Sequence, residues 1–367
     1  MEFPNTREAV TVLNGIEDPA QISEKLRDLV ASTIREYYTE ADKIVQGLSA
    51  GIGDRVLLLI DAMLGYRVDQ MRKTLRDYAA SNIARDSGKL VLNNLFDGRA
   101  PMTNADVFAS WMPLKIEQIR QLGVEARGVG FDKKVALVGI SGSPANLHNL
   151  SSNGNSVVPS VGLDSDVTNN NVYKFTRRVI TDAVDANLMR FGICYGHQLS
   201  GALVGGKIEL MESGPAEGMK NVDTDLLTDA NFNALFGPRI LQNNMRLMMR
   251  HKGILQPNPQ TSLTVLRNNY FEGDSGVGAV VNSSNVDFSS ENPVNKLLDS
   301  LGDGETASFG VQSHPEQNLF YLLNEIIQRT IKSETLDADE IIRTLKSTLQ
   351  VLSMSCNFLT KHPSLNK

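Results

Sequence analysis

Short apolar runs of strand length at 89–96, 134–140 and 189–194 alternate with segments of helical period. Strands that alternate with helices are joined by right-handed crossovers, which predicts a parallel sheet with helices on both faces. The helices between the runs are predicted over 108–122 and 172–188. Further strands are expected at 124–127, 262–266, 276–281 and 306–312. The stretch 148–171 is rich in Ser, Asn and Gly and has no periodicity, so it reads as a surface loop.

The chain ends follow a different period. Ile22, Leu26, Leu29, Val30, Ile34, Tyr37, Ala41, Ile44 and Val45 fall in steps of three and four, which predicts a long amphipathic helix over 20–48. After a break at Gly51 and Gly53, the stripe Leu57, Ile60, Leu64, Val68, Met71 and Leu75 predicts a second helix over 54–84. Residues 1–86 are therefore expected to be all-helical; they carry no chemical motif and read as a hairpin packed on the next domain or on a partner. Ile341, Leu345, Leu349 and Leu352 predict a C-terminal helix within 337–358. With 367 residues, the chain divides into a helical region 1–86, an α/β domain 87–332 and a C-terminal helix 333–367.

Composition narrows the function classes. No run approaches the ~18 consecutive apolar residues of a membrane span, so no membrane partner is expected. A net charge of -6 argues against a surface built for nucleic acid. The N-terminus MEFPNTREAV has no basic and apolar leader pattern. Two cysteines, Cys194 and Cys356, exclude a disulfide framework, and the expected compartment is the reducing cytoplasm. No Cys-x-x-Cys, His-Glu-x-x-His, Walker A or Gly-x-Gly-x-x-Gly sequence is present, so neither a metal nor a cofactor is expected.

The chemistry concentrates in Arg190-Phe-Gly-Ile-Cys-Tyr-Gly-His-Gln-Leu, which sets Cys194 between a buried strand and a helix with Gly192 and Gly196 at its flanks. That is the pattern of a nucleophile elbow: small neighbours permit a strained turn, and the helix N-terminus favours the thiolate. A nucleophilic cysteine needs a base. Of the five histidines, His314 lies at the end of the last predicted strand in Gly310-Val-Gln-Ser-His-Pro-Glu, where Glu316 can orient its ring. Strand ends on one edge of a parallel sheet converge, so Cys194 and His314 can meet. His197 reads as a packing or hydrogen-bonding residue, and His148 and His362 as solvated ones.

Cys194-Tyr-Gly-His-Gln together with Ser313-His-Pro-Glu resembles the class I, triad-type glutamine amidotransferases. The resemblance extends over about 89–330 and includes Leu203-Val-Gly-Gly-Lys-Ile, Leu235-Phe-Gly and Gly139-Ile-Ser-Gly-Ser-Pro. It implies a flavodoxin-like three-layer α/β fold and hydrolysis of the glutamine side-chain amide through a γ-glutamyl thioester. Carried over position by position, it makes Cys194 the nucleophile, His314 the general base and then acid, and Glu316 the orienting carboxylate. It gives the oxyanion hole to the Tyr195 amide and the Gly142-Ser143 turn, and substrate contacts to Gln198 and His251.

Two departures stand out: Ser143 occupies a position where the family usually has Gly or Pro, and the 148–171 stretch is longer than the usual connection. They predict a hole that is built differently or completed by a partner. Implied partners are glutamine or a γ-glutamyl compound, a synthase on another chain that takes the ammonia, and a second copy of the chain. Two other functions compete: a γ-glutamyl hydrolase or acyltransferase with the same three residues, and a non-catalytic assembly module.

Overall fold

The computed structural model describes residues 1–62, 104–120, 133–143, 171–203, 207–210, 216–222, 236–241, 244–256, 263–270, 274–282 and 308–361, with a few single positions. The helices are α1 (Pro4–Asn14), α2 (Pro19–Ile52), α3 (Asn104–Trp111), α4 (Asn171–Asp185), α5 (Tyr195–Leu203), α6 (Pro315–Ile331) and α7 (Ala338–Leu359). The strands are β1 (Val56–Asp61), β2 (Ile116–Arg120), β3 (Val135–Ile140), β4 (Met189–Ile193), β5 (Lys207–Leu210), β6 (Ala216–Val222), β7 (Met245–His251), β8 (Gly253–Gln256), β9 (Leu263–Tyr270), β10 (Asp274–Asn282) and β11 (Ser308–Val311).

β1, β3 and β4 are apolar almost throughout because a parallel strand covered on both faces has no solvent side. They form the centre of a parallel sheet in the order β2-β1-β3-β4-β11. Counted among themselves these strands run 2-1-3-4-5, the order of a flavodoxin-like doubly wound sheet. Side chains alternate across it. Leu57, Leu59, Phe191, Ile193 and Phe309 join one core with residues of α2, α6 and α7. Leu58, Ile60, Val138 and Ile140 join the other with α4 and α5. The fold is thus a three-layer α/β sandwich with helices added at both ends of the chain. A four-stranded antiparallel sheet, β10-β9-β6-β7, and an antiparallel pair, β5-β8, accompany it.

The terminal helices have their apolar stripes covered within the chain. α2 starts at Pro19 with Asp18 as its cap, its carboxylate accepting from the Ala20 N–H at 2.9 Å. Leu26, Leu29, Tyr37 and Leu48 of α2 are fully buried in the same core as Leu345, Leu349 and Leu352 of α7. α3 joins them: Trp111 Nε1 donates to the Thr348 carbonyl at 3.4 Å, and Tyr37 donates to the Trp111 carbonyl at 3.2 Å.

Several expectations are corrected. The predicted helix over 54–84 is a strand where it is described, because Val56 to Ile60 is an unbroken apolar run enclosed by Arg55 and Asp61 and buried on both faces. Residues 1–86 are therefore not all-helical, and β1 lies inside the sheet rather than before it. Gly51 belongs to α2; the helix ends at Gly53, whose φ of 61° only glycine adopts readily. The helix predicted over 108–122 stops at Trp111, since Pro113 follows, and β2 succeeds it. α6 and the strands β5 to β8 have no counterpart in the sequence-based reading. The strands expected at 89–96 and 124–127, the loop at 148–170, His148 and His362 lie outside the described residues.

Candidate active site

The turn from β4 into α5 leaves Cys194 in the left-handed region, with φ 50°. A non-glycine residue there is strained, and the strain is held by its neighbours. The Cys194 N–H donates to the Val311 carbonyl at 2.8 Å, and its own carbonyl accepts from the Gln198 N–H at 2.9 Å, closing the first turn of α5. Both flanking glycines are required by close approach. A Cβ on Gly192 would lie 2.5 Å from the Gly196 carbonyl carbon, and one on Gly196 would strike the Ile140 carbonyl oxygen. The elbow therefore sits pressed against the end of β3.

The Cys194 thiol is buried, with 4% exposure. Its S–H donates to the Arg250 carbonyl on β7 at 3.8 Å, and it accepts from Gln312 Nε2 at 3.5 Å. Gln312 directly follows β11, which is paired with β4 in register from Ser308↔Arg190 to Val311↔Ile193. The residues beyond Val311 are thereby delivered to the elbow, and His314 with them.

His314 is fully buried at the N-terminus of α6, its N–H donating to the Met248 carbonyl at 2.8 Å. It does not cap α6 with its side chain, because Nδ1 is engaged with Glu316 Oε1 at 2.8 Å. An ionised carboxylate only accepts, so the proton of a neutral His314 resides on Nδ1, and Nε2 is the basic nitrogen. Gln317 Nε2 also donates to Glu316 Oε1, at 3.2 Å, fixing the carboxylate in turn.

The turn after β3 is anchored by Ser141. Its hydroxyl accepts from the Ala62 N–H at 2.9 Å and donates to the Gly142 carbonyl at 3.1 Å. In a trans peptide the C=O and the following N–H point in opposite directions, so holding the Gly142 carbonyl also sets the direction of the Ser143 N–H. Neither Gly142 nor Ser143 has a positive φ, and a serine at 143 therefore costs no backbone strain. Tyr195, the first residue of α5, is buried with its hydroxyl 2.9 Å from Thr176 Oγ1, leaving its backbone amide at the helix N-terminus.

The remaining residues marked in the sequence are also here. His251 is buried at the end of β7, with Nδ1 3.2 Å from the Gly253 carbonyl, which assigns the proton to Nδ1. Burial lowers its pKa to about 4; the Gly253 bond opposes the shift and nearby His314 adds to it. His197 is fully buried, and burial chiefly, with His251 adding to it, lowers its pKa to about 3, so it is neutral near pH 7. Its ring packs against Gly310, where a Cβ would lie 2.7 Å from Nδ1. Gln198 donates through Nε2 to the Gly253 carbonyl at 2.7 Å and to Gln312 Oε1 at 3.1 Å, so its amide nitrogen is committed to the protein. Gln312 is the residue that sequence reasoning missed; it lies two positions before His314, and its strand pairing was the available signal. Cys356 is buried in α7, and burial pushes its thiol pKa far up.

The fold and the site define an α/β protein with a strained cysteine elbow beside a buried histidine–carboxylate pair. The sequence matches Glutamine amidotransferase class-I over residues 116–332, more than half its length, and the chain belongs to that family. Among solved structures it is similar to a glutamine amidotransferase from Thermotoga maritima, at 13% identity, covering 83% of this chain and 98% of that one, TM-score 0.38. A glutamine amido transferase from Methylobacillus flagellatus aligns at 11% identity over 84% and 95% of the two chains, TM-score 0.40. PurLQS from Thermotoga maritima aligns at 14% identity over 76% and 97%, TM-score 0.35. Comparison with curated proteins finds no match. No helix of the described residues is long and apolar enough to cross a membrane, and among them no group of His, Cys, Asp and Glu is arranged to hold a metal ion.

Proposed function

We propose that the chain is a glutaminase of the amidotransferase type, with Cys194 as nucleophile, His314 as base and then acid, and Glu316 as the carboxylate that orients the imidazole. The observation that carries this reading is the left-handed Cys194 at the head of α5, next to a β11 end that presents His314 and Glu316 at 2.8 Å from each other. His314 Nε2 takes the thiol proton as sulfur attacks the side-chain carbonyl carbon of glutamine. The oxyanion that forms is met by the N–H groups of Tyr195 and Ser143. Collapse of the adduct breaks the C–N bond, and the proton on His314 leaves with ammonia. Water, deprotonated by the same imidazole, then cleaves the γ-glutamyl thioester and returns the thiol and glutamate.

His251 and Gln198 border this centre and are proposed to meet the substrate, Gln198 through its carbonyl oxygen. The ammonia is proposed to pass to a synthase on a separate chain. Glutamate release from glutamine by the purified protein, with Cys194→Ala as control, tests the reading. Release by the natural protein and none by the variant supports it. Turnover of γ-glutamyl peptides but not of glutamine would keep the three roles and change the substrate; no turnover of either would favour an assembly module.

A further inference from the structure

We infer that Gln312 is a fourth catalytic residue, an amide donor that stabilises the Cys194 thiolate, and that Gln198 is the positioning residue that makes Gln312 a donor rather than an acceptor. The inference rests on Cys194 being the nucleophile, as proposed above.

The hydrogen-bond chain decides which end of each amide faces where. The Gly253 carbonyl can only accept, so the Gln198 atom 2.7 Å from it is the nitrogen. That same nitrogen lies 3.1 Å from the Gln312 side chain, which must therefore turn its oxygen to it. The amide group is planar, so the Gln312 nitrogen is left on the other side, 3.5 Å from Cys194 Sγ. A backbone carbonyl thus dictates, through two side chains, that an N–H and not a C=O meets the sulfur. Gln312 is fully buried and Gln198 nearly so, which denies both amides the water that would let them turn.

This donor has a task. In the thiol form the S–H is directed to the Arg250 carbonyl at 3.8 Å, a contact that favours protonation and turns repulsive once the proton has left for His314. The Gln312 N–H acts in the opposite sense: it is a weak partner for a thiol and a charge-assisted one for a thiolate. The elements packed against the sulfur carry Arg190 on β4, His197 on α5, Arg246, Arg250 and His251 on β7, and His314 and Glu316 at the start of α6. His197 and His251 have pKa values lowered by burial to about 3 and about 4 and supply no positive charge near neutral pH. Neutral donors, among them Gln312 and the N-terminus of α5, therefore share in the stabilisation.

The test is the thiolate titration of Cys194 in the full chain without glutamine, followed by ultraviolet absorbance as the difference from Cys194→Ser; Cys356, pushed far up by burial, stays silent. Gln312→Met keeps the volume and removes the donor, and the midpoint is expected to rise by about one pH unit, a roughly tenfold loss of thiolate below it. Gln198→Glu leaves Gln312 in place but cannot donate to its oxygen; Gln312 then turns its nitrogen to the new carboxylate and its oxygen to the sulfur, again raising the midpoint. In the double variant the shift from Gln198→Glu should shrink, since the methionine side chain has no amide to turn. Folded variants that titrate like the natural protein would overturn the inference, and so would additive shifts in the double variant. Should Gln312→Met fail to fold, Gln312→Leu, which also lacks the amide, takes its place, because the charge added by Gln198→Glu raises the midpoint by itself. Absence of glutamine turnover by the natural protein would defeat the proposed substrate without touching this result, because the titration contains no glutamine.

Discussion

At Cys194 the backbone strain, the hydrogen bonds and the small neighbours all serve one sulfur atom. His314→Ala should lower glutamate production by ~10²- to 10⁴-fold, the usual worth of a general acid–base residue. Glu316→Gln should cost less, because the amide still contacts Nδ1; wild-type turnover by His314→Ala would move the base elsewhere. Gly192→Ala should abolish activity and lower the melting temperature, since its Cβ meets Gly196 backbone at 2.5 Å and no side chain can yield there. His197 adds a pH dependence. Its folded pKa of about 3 lies below the ordinary 6.5, so the unfolded chain binds the extra proton between these values, and stability falls as pH drops through that window. His197→Phe should flatten the urea midpoint against pH there; an unchanged slope would assign the acid sensitivity to other groups. The strand-to-helix turn at Cys194 and the pairing of His314 with Glu316 were legible in the sequence because each stands in a short local pattern of strand, glycine and turn. Gln312 was not, because its role depends on the β4–β11 pairing and on an amide orientation set 114 residues away in sequence at Gln198. His251 was read near the pocket only through resemblance, since Met245 to His251 mixes two arginines into an apolar strand.

Among the elements, β7 connects the site to the C-terminal helix. Its Met248 carbonyl holds the His314 N–H, its Arg250 carbonyl receives the Cys194 thiol, and His251 ends it. The strand is fixed from its other end by Arg246, which donates to both Glu325 oxygens at 3.1 and 2.9 Å, to Thr344 at 3.1 Å, and pairs with Glu340 at 3.3 Å. Asn318 adds a second tie, accepting from the Met248 N–H at 2.7 Å while donating to Thr348 at 3.0 Å. Arg246→Met should destabilise the chain by about 2 kcal/mol, between a surface pair and a fully buried one, because the two glutamates keep partial access to water. Denaturant titration checks it; a loss under half that size would mean that packing, not charge, seats β7. Element type was legible where period and length agreed, as in α2, α4, β3, β4 and α7. It failed at β1, where Leu57, Ile60 and Leu64 mimic a helical stripe, and at β2, where Ile116 and Ile119 do the same beyond Pro113.

The whole molecule shares its larger core between the terminal helices and one face of the sheet, with Leu29 of α2, Leu349 of α7 and Phe191 of β4 in the same cluster. The helical ends are therefore part of the structure that shapes the site, and helix melting and inactivation should coincide. Leu349→Ala, at a fully buried position, should lower stability by ~2–5 kcal/mol and bring both transitions down together. Two separated transitions, with activity surviving the first, would show an independent helical layer. The catalytic account as a whole turns on one bond, the thioester between Cys194 Sγ and the γ-carbonyl of glutamine. Acid quenching during glutamine turnover, followed by peptide mass spectrometry, should find a γ-glutamyl adduct on the peptide holding Cys194 and none in Cys194→Ala. An adduct on another residue, or undiminished glutamate release by Cys194→Ala, would contradict it.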